Sequence, residues 1–118
     1  MSDTPLLDRA VIDDLFEHIG LEAARPVFAL LLEESRTLTE RIVSARADAA
    51  GRENVRRAAH SLKSGSGQLG AAALSHAALK VEQAAAADSA DLPACIAALT
   101  QCAAQTQAAL AELLAEPA

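Results

Sequence analysis

The chain has 118 residues, 52% of them hydrophobic, and a formal net charge of −6 at pH 7. The acidic balance argues against a general nucleic-acid binder, because such proteins need a basic surface to displace counterions from phosphates. No apolar run is long enough to cross a bilayer, and the opening MSDTPLLDRA lacks the basic-then-apolar order of a secretion signal, so we expect a cytoplasmic location and no membrane partner.

Apolar periodicity predicts five helices in a single all-α domain that spans residues 1–118. Their expected bounds are 8–19, 22–49, 52–69, 71–87 and 92–114, with Gly20, Gly51 and Gly70 as stop signals. Pro26 is expected to delay the start of the second helix or to kink its first turn. Four long helices with short connections predict an antiparallel four-helix up-down bundle, in which the short N-terminal helix caps one end.

The two cysteines fall on the fifth predicted helix, with Asp91 as its expected N-cap and Pro93 in its first turn. Cys95 and Cys102 are seven residues apart and so share one face at a separation of roughly 10 Å, which is too far for a disulfide between them. We interpret both as reduced core residues.

The third predicted helix carries the residues that point to a function. Its buried stripe is Val55, Ala59, Leu62, Ser66 and Leu69. Because successive residues turn by about 100°, His60 points away from this stripe and is expected to be exposed. The residues that share its side of the helix are Arg56, Arg57, Lys63, Ser64 and Gly67.

The charges around His60 suit a phosphoryl group. Basic residues three or four positions away on a helix lie beside the ring, so Arg56, Lys63 and Arg57 are expected to surround it with cationic donors. Such donors stabilise the negative charge and the acceptor oxygens of a phosphate. A cationic setting also favours the neutral imidazole, which is the nucleophilic form, and no separate general base is then required.

Small residues interrupt this helix beyond His60, although glycine inside a helix costs about 0.5–1 kcal/mol relative to alanine. Two explanations are open. Close helix packing fits Gly65 and Ser66, which point sideways or inward. Clearance for the backbone of a partner protein fits Ser64 and Gly67, which share the face of His60.

The run AAHSLKSGSGQLGAAALSHAALKVE, residues 58–82, resembles the signature of the histidine-containing phosphotransfer (HPt) domains of bacterial phosphorelays. The resemblance implies that His60 is the phosphorylated residue and Lys63 its electrostatic neighbour. It also implies that Leu62 anchors the core and that Glu82 is the acidic residue of the following helix. Gly67 and Gly70 then occupy positions at which the family has small residues.

What the resemblance implies is a phosphorelay intermediate. His60 would accept a phosphoryl group from an aspartyl-phosphate receiver domain and pass it to another receiver, in response regulators or hybrid sensor kinases. The chain would then be a phosphoryl carrier without kinase or ATPase activity, with no cofactor or metal of its own and with Mg²⁺ in the partner receiver. We expect a monomer that docks through Arg56, Arg57, Ser64, Gly67, Gln68 and Lys80.

Two positions depart from the family pattern. Ser64 stands where the family usually has glycine directly after the lysine. Serine is nearly as small as glycine, so we expect the site to remain functional. We also expect the hydroxyl to make docking of the partner more selective. Ala78 stands where many members have cysteine, which we interpret as a core substitution.

Other functions remain as alternatives. A phosphoacceptor and dimerisation domain of a sensor kinase also displays a histidine on a helical bundle, but that family normally has an acidic residue directly after the histidine, where this chain has Ser61. A non-catalytic helical adaptor, in which His60 is incidental, is the alternative from a different class. A metal site at His60 and His76 is poorly supported, because Cys or acidic ligands at suitable spacing are missing.

Overall fold

The computed structural model describes residues 4–116, and these residues form five helices and no strand. The helices are α1 (Arg9–Ile19), α2 (Leu21–Val43), α3 (Ala49–Gln68), α4 (Ala72–Ala86) and α5 (Leu92–Ala115). The all-α prediction is confirmed. Residues 1–3, 117 and 118 of the predicted domain lie outside the described residues. Within the described part of the chain, every helix is too short or too polar to cross a membrane.

The helices pack around one shared hydrophobic core. α3 contacts α2 and α4, α5 also contacts α2 and α4, and α1 packs against α2. Every helix contributes a fully buried apolar side chain, among them Ile12, Phe28, Leu62, Leu74 and Leu99. The result is a helical bundle whose side chains at the centre come from all five elements.

The connection between α2 and α3 differs from its prediction. α2 ends at Val43, not at residue 49, and the hydroxyl and the amide of the C-cap residue Ser44 both donate to the carbonyl of Glu40. α3 then begins at Ala49, not at residue 52. Asp48 caps it by accepting a hydrogen bond from the amide of Gly51 at 2.7 Å. Gly51 is therefore a buried first-turn residue and not a stop signal.

The expected late start of α2 is also wrong. The helix begins at Leu21 and contains Pro26, which cannot donate to the carbonyl one turn earlier. The other predicted bounds agree with the structure to within one residue, because Gly20 and Gly70 both have positive φ and end their helices as expected.

Gly70 also fixes the position of α1. Its carbonyl accepts the amide of Asp8 at 2.7 Å. A Cβ atom at this position would lie 3.1 Å from the carbonyl oxygen of Asp8 and 3.2 Å from the Cβ of Val11. The absence of a side chain at Gly70 therefore lets α1 sit directly against the end of α3.

Arg25 joins the start of α2 to the end of α5. Its guanidinium donates to the carbonyl of Leu114 at 2.7 Å and to the carbonyl of Glu116. The last carbonyls of a helix have no partner within the helix, so a donor from another helix satisfies them and holds the two elements together.

A matched pair of glycine substitutions tests this account of α3. A Cβ atom at Gly51 would lie 1.7 Å from the carbonyl oxygen of Arg46, whereas a Cβ at Gly65 meets no atom within 4 Å. We expect Gly51→Ala to lower the free energy of unfolding by about 1–3 kcal/mol or more, as overpacking does. Gly65→Ala is expected to raise it by about 0.5–1 kcal/mol, since alanine is the better helix former. Urea denaturation of both variants measures the difference, and equal stability would contradict the packing at Gly51.

Candidate functional site

α3 presents His60 to solvent while the core side of the helix is buried. The His60 side chain is 57% exposed. Ala59 and Leu62, on the opposite side of the helix, are almost wholly buried in the core. The amphipathic pattern thus places the imidazole outside the bundle, as the sequence predicts.

Glu82 of α4 joins His60 to Lys63. Its carboxylate oxygen Oε2 lies 2.6 Å from Nδ1 of His60, and Oε1 accepts a hydrogen bond from Nζ of Lys63 at 2.7 Å. The Glu82 side chain is only 16% exposed. One mostly enclosed carboxylate on the neighbouring helix therefore orients both the imidazole and the ammonium group.

This contact determines which ring nitrogen is free. The hydrogen bonds from Lys63, and in addition those from His60, lower the pKa of Glu82 against the opposing effect of partial burial. The carboxylate is therefore ionised near neutral pH and accepts hydrogen bonds without donating any. Nδ1 of His60 must then carry the proton, so in the neutral ring the lone pair is on Nε2, away from Glu82.

Ser75 of α4 fixes the backbone beside Lys63. Its hydroxyl donates to the carbonyl of Lys63 at 2.9 Å. The same hydroxyl oxygen would lie 3.1 Å from a Cβ atom at Gly67, whereas a Cβ at Gly65 would lie in open space. Packing against α4 therefore explains Gly67, although it is exposed, and does not explain Gly65. The packing explanation that the sequence favoured for Gly65 is therefore wrong, and clearance for a partner at Gly67 stays a prediction.

The two arginines near His60 are paired with a residue of their own helix. Arg56 donates to Glu53 through Nε at 2.9 Å and through Nη2 at 2.6 Å, and Nε of Arg57 donates to the same carboxylate at 3.1 Å. The hydrogen bonds from Arg56, reinforced by Arg57 and opposed by partial burial, lower the pKa of Glu53 to about 2. The ring's own hydrogen-bond partner is the anion Glu82, which helical periodicity did not predict. Lys63 binds the same carboxylate, and the charge of Glu82 adds to the hydrogen bonds with Glu53 in raising the pKa of Arg56. That all three cations surround the ring stays a prediction.

The remaining predicted docking residues fall in two places. Ser64 and Gln68 are exposed on α3, like His60. Lys80 instead lines a cleft of about 670 Å³ between α4 and α5. Lys80 and Glu82 are two residues apart and thus about 200° apart around α4. The structure therefore does not bring Lys80 to the His60 face.

The cleft that contains Lys80 also contains both cysteines. Cys95 and Cys102 are free thiols, half-buried and packed against the core. Burial raises the pKa of the Cys102 thiol, against the opposing effect of a contact with Thr106. The two cysteines therefore pack at the edge of the core and not inside it as the sequence predicted, and their reduced state stays a prediction.

Sequence reasoning missed Glu53 and Ser75. Glu53 precedes Arg56 and Arg57 by three and four positions, the spacing at which helical side chains meet, so this ion pair was visible in the sequence. Ser75 carries no comparable signal. Its contact with Lys63 spans 12 residues and depends on how α4 packs against α3.

Two comparisons with known proteins found a match to this chain. A family model described as the Hpt domain matches residues 26–116. The chain is also similar to a solved structure, the crystal structure of histidine-containing phosphotransfer protein B (HptB) from Pseudomonas aeruginosa PAO1. The sequences are 22% identical, the TM-score is 0.84, and the match covers 95% of this chain and 96% of that chain. At this identity the likeness establishes a shared fold. No curated protein matches the chain.

The ion pairs of Glu53 make a prediction about acid stability. A carboxyl group whose pKa falls from 4.5 to about 2 on folding stabilises the protein above pH 4.5, and this contribution is lost as the pH falls toward 2. We expect Glu53→Gln to lose less stability than the parent between pH 4.5 and pH 2, as measured by thermal unfolding at each pH. Glu112→Gln, an exposed change on α5, serves as the control. If the two variants show the same acid dependence, Glu53 is not paired in solution.

Proposed function

This chain belongs to the Hpt domain family, whose members are histidine phosphotransfer intermediates of two-component phosphorelays, and we propose that His60 is the residue that carries its phosphoryl group. The observation that carries the proposal is the hydrogen bond from Nδ1 of His60 to Glu82, which leaves Nε2 unprotonated on an exposed side chain. A nucleophile needs a free lone pair and access to its substrate, and Nε2 has both.

The proposed reaction is an in-line transfer from an aspartyl phosphate. The Nε2 lone pair forms a bond to phosphorus while the bond between phosphorus and the aspartyl oxygen breaks, and the electron pair of that bond leaves with the carboxylate. Nε2 has no proton to lose, so no base is required. The product ring is positively charged. It keeps the proton on Nδ1, and this N–H group continues to donate its hydrogen bond to Glu82. Transfer to a second aspartate reverses these steps.

Lys63 is proposed to stabilise the phosphoryl group. The ammonium has three N–H donors, and its hydrogen bond to Oε1 of Glu82 uses one of them. The others are available to phosphoryl oxygens, whose negative charge an ammonium stabilises strongly. Because Glu82 holds Lys63 and His60 together, the cation is in place before the phosphoryl group arrives, and transfer depends mainly on positioning and charge.

Hpt domains relay phosphate with receiver domains, and we propose that a receiver of a response regulator or hybrid sensor kinase docks over the exposed face of α3. The docking candidates on α3 are Arg56, Arg57, Ser64, Gly67 and Gln68. Mg²⁺ is proposed for the receiver. Within residues 4–116 of this chain, no group of three or more His, Cys, Asp or Glu side chains is arranged to hold a metal ion. A monomeric state, a cytoplasmic location and the absence of kinase activity stay predictions of the sequence.

We further propose that α2 to α5 run alternately up and down as an antiparallel four-helix bundle and that α1 caps one end. The contacts of α3 and α5 with both α2 and α4 support this arrangement, as does the packing of α1 against Gly70. One core shared by all five helices supports the interpretation of the chain as a single domain.

Replacement of His60 tests the carrier residue. His60→Gln is expected to abolish acid-labile phosphate on this chain after incubation with a receiver phosphorylated by acetyl phosphate and Mg²⁺, because the nucleophilic nitrogen is gone. His76→Gln, which removes an exposed histidine of α4, is the matched control and should accept phosphate like the parent. Radiolabel transfer on gels measures both. Undiminished labelling of His60→Gln would show that another residue carries the phosphate.

Replacement of Glu82 tests the positioning of the ring. Glu82→Ala should slow phosphoryl transfer about tenfold or more, because a hydrogen bond to a charged group contributes about 1.5–3 kcal/mol and 1.36 kcal/mol corresponds to a factor of ten. Glu112→Ala is the control for loss of a carboxylate. ¹⁵N NMR of His60 should show the proton on Nδ1 in the parent and shared between both nitrogens in Glu82→Ala. An unchanged spectrum would contradict the role assigned to Glu82.

A further inference from the structure

A continuous groove runs between α2 and α3 beside His60. It consists of two adjoining hollows of about 470 and 300 Å³, which share Leu38, Arg41 and Ser61 in their walls. Ser61 directly follows His60, and Arg57, another wall residue, precedes it by one helical turn. We refer to this feature as the α2–α3 groove.

The groove lies within the area that a protein docked on His60 would cover. One helical turn along α3 is a distance of about 5 Å. A standard protein interface buries about 800 Å² on each partner, which corresponds to a disc of roughly 16 Å radius. Glu82 and Lys63 hold the imidazole from the α4 side. A partner that reaches Nε2 is therefore expected to contact the open α2 side as well.

The two ends of the α2–α3 groove have opposite charge. Glu33 and Glu34 line one hollow, Arg46 and Arg57 line the other, and Arg41 lies in the wall that the two hollows share. Glu33 and Arg41 are eight residues apart on α2, or about 12 Å. No ion pair joins either glutamate to Arg41 within the described residues, so a docked partner meets two distinct charges and not one cancelled pair.

Among these arginines, Arg46 and Arg57 have an ion-pair partner within residues 4–116, and Arg41 has none. Arg46 lies 3.3 Å from a carboxylate oxygen of Asp48, and Arg57 donates to Glu53. Arg41 makes no ion pair or hydrogen bond with its side chain to any residue in the range 4–116. In a chain with a net charge of −6, it is an unneutralised positive charge at the centre of a groove.

Apolar side chains lie between the charges. Leu30, at the acidic end, is 54% exposed, and Leu38 lines both hollows. An exposed leucine in a groove with charged ends is typical of a docking surface, in which the apolar contact supplies affinity and the charges fix orientation.

We propose that the α2–α3 groove selects the receiver domain by charge polarity, with Arg41 as its specificity-determining residue. The partner surface carries acidic side chains over Arg41, basic side chains over Glu33 and Glu34, and an apolar side chain against Leu30. This inference rests on the proposed function, since it names the surface of the receiver that brings its aspartyl phosphate to His60. Arg41 positions the partner and does not touch the reacting atoms.

The test compares two charge reversals on the same helix. Arg41→Glu and Arg36→Glu remove the same charge from α2, but Arg36 is exposed outside the groove. The donor is the phosphorylated receiver, from the same genome, that labels the parent fastest, and transfer is measured as a function of its concentration at low and high salt. We expect Arg41→Glu to lower kcat/KM about tenfold at low salt through a higher KM, with a smaller deficit at high salt. Arg36→Glu should stay within about twofold of the parent.

A second substitution tests the acidic end of the groove. Glu33→Lys combined with Glu34→Lys should also raise KM, and in the Arg41→Glu background the reversed polarity should shift the preference of the chain toward a different receiver. Circular dichroism and thermal unfolding verify that each variant is folded, and Arg41→Gln provides a milder change that should give an intermediate KM.

The outcomes separate this inference from the proposed function. If the parent accepts phosphate at His60 and Arg41→Glu behaves like Arg36→Glu, or loses only kcat, the groove does not select the receiver and the proposed function stands. If the parent accepts no phosphate from any receiver, the proposed function fails and this inference fails with it. Binding of inorganic phosphate that depends on Arg41, without an effect on transfer, would assign the groove to small anions and overturn the inference.

Discussion

The carboxylate of Glu82 holds together the two residues on which the chemistry of this face depends. Its oxygens bind His60 and Lys63, which are 22 and 19 residues away in the chain, so the arrangement exists only when α4 is packed beside α3. The carboxylate is mostly enclosed, and hydrogen bonds that are shielded from water are stronger than exposed ones. The orientation of the imidazole is therefore a consequence of helix packing.

Small residues make that packing possible. The distance between two helices depends on the side chains at their contact. Ala78 and Ala85 of α4 are buried in the core, and Ser75 reaches the backbone of Lys63 next to a glycine, Gly67. Substitutions at these positions are therefore expected to act on the site through the separation of α3 and α4, even where the substituted residue does not touch the imidazole.

The arginines of α3 have a partner that their spacing from His60 did not indicate. Glu53 accepts hydrogen bonds from both Arg56 and Arg57, which leaves this group of three with a net charge of +1, and Glu82 binds Lys63. The ring is left beside an anion that holds its proton on Nδ1. Arg41 of α2, which has no ion-pair partner among residues 4–116, adds a positive charge on the side from which the proposed receiver would approach.

The sequence alone determined the helical class, the approximate helix bounds and the exposure of His60. These features depend on local propensity and on the 3.6-residue period, which act within one helix and can be read along the chain. The break at Ser44 and the first-turn position of Gly51 were missed, because they depend on individual hydrogen bonds and on one backbone contact with Arg46. The resemblance to HPt domains singled out Glu82, but not its contact with the ring.

Only the tertiary structure decided which side chains surround the imidazole. The bond from Nδ1 of His60 to Glu82, the support of Lys63 by Ser75 and the α2–α3 groove at Arg41 all join residues of different helices. Such contacts depend on the rotation and separation of packed helices, and these are set by the summed fit of the core. No single residue pair encodes that fit. The local sequence pattern therefore determines where His60 lies on its helix, and the packing of the bundle determines which side chains contact it.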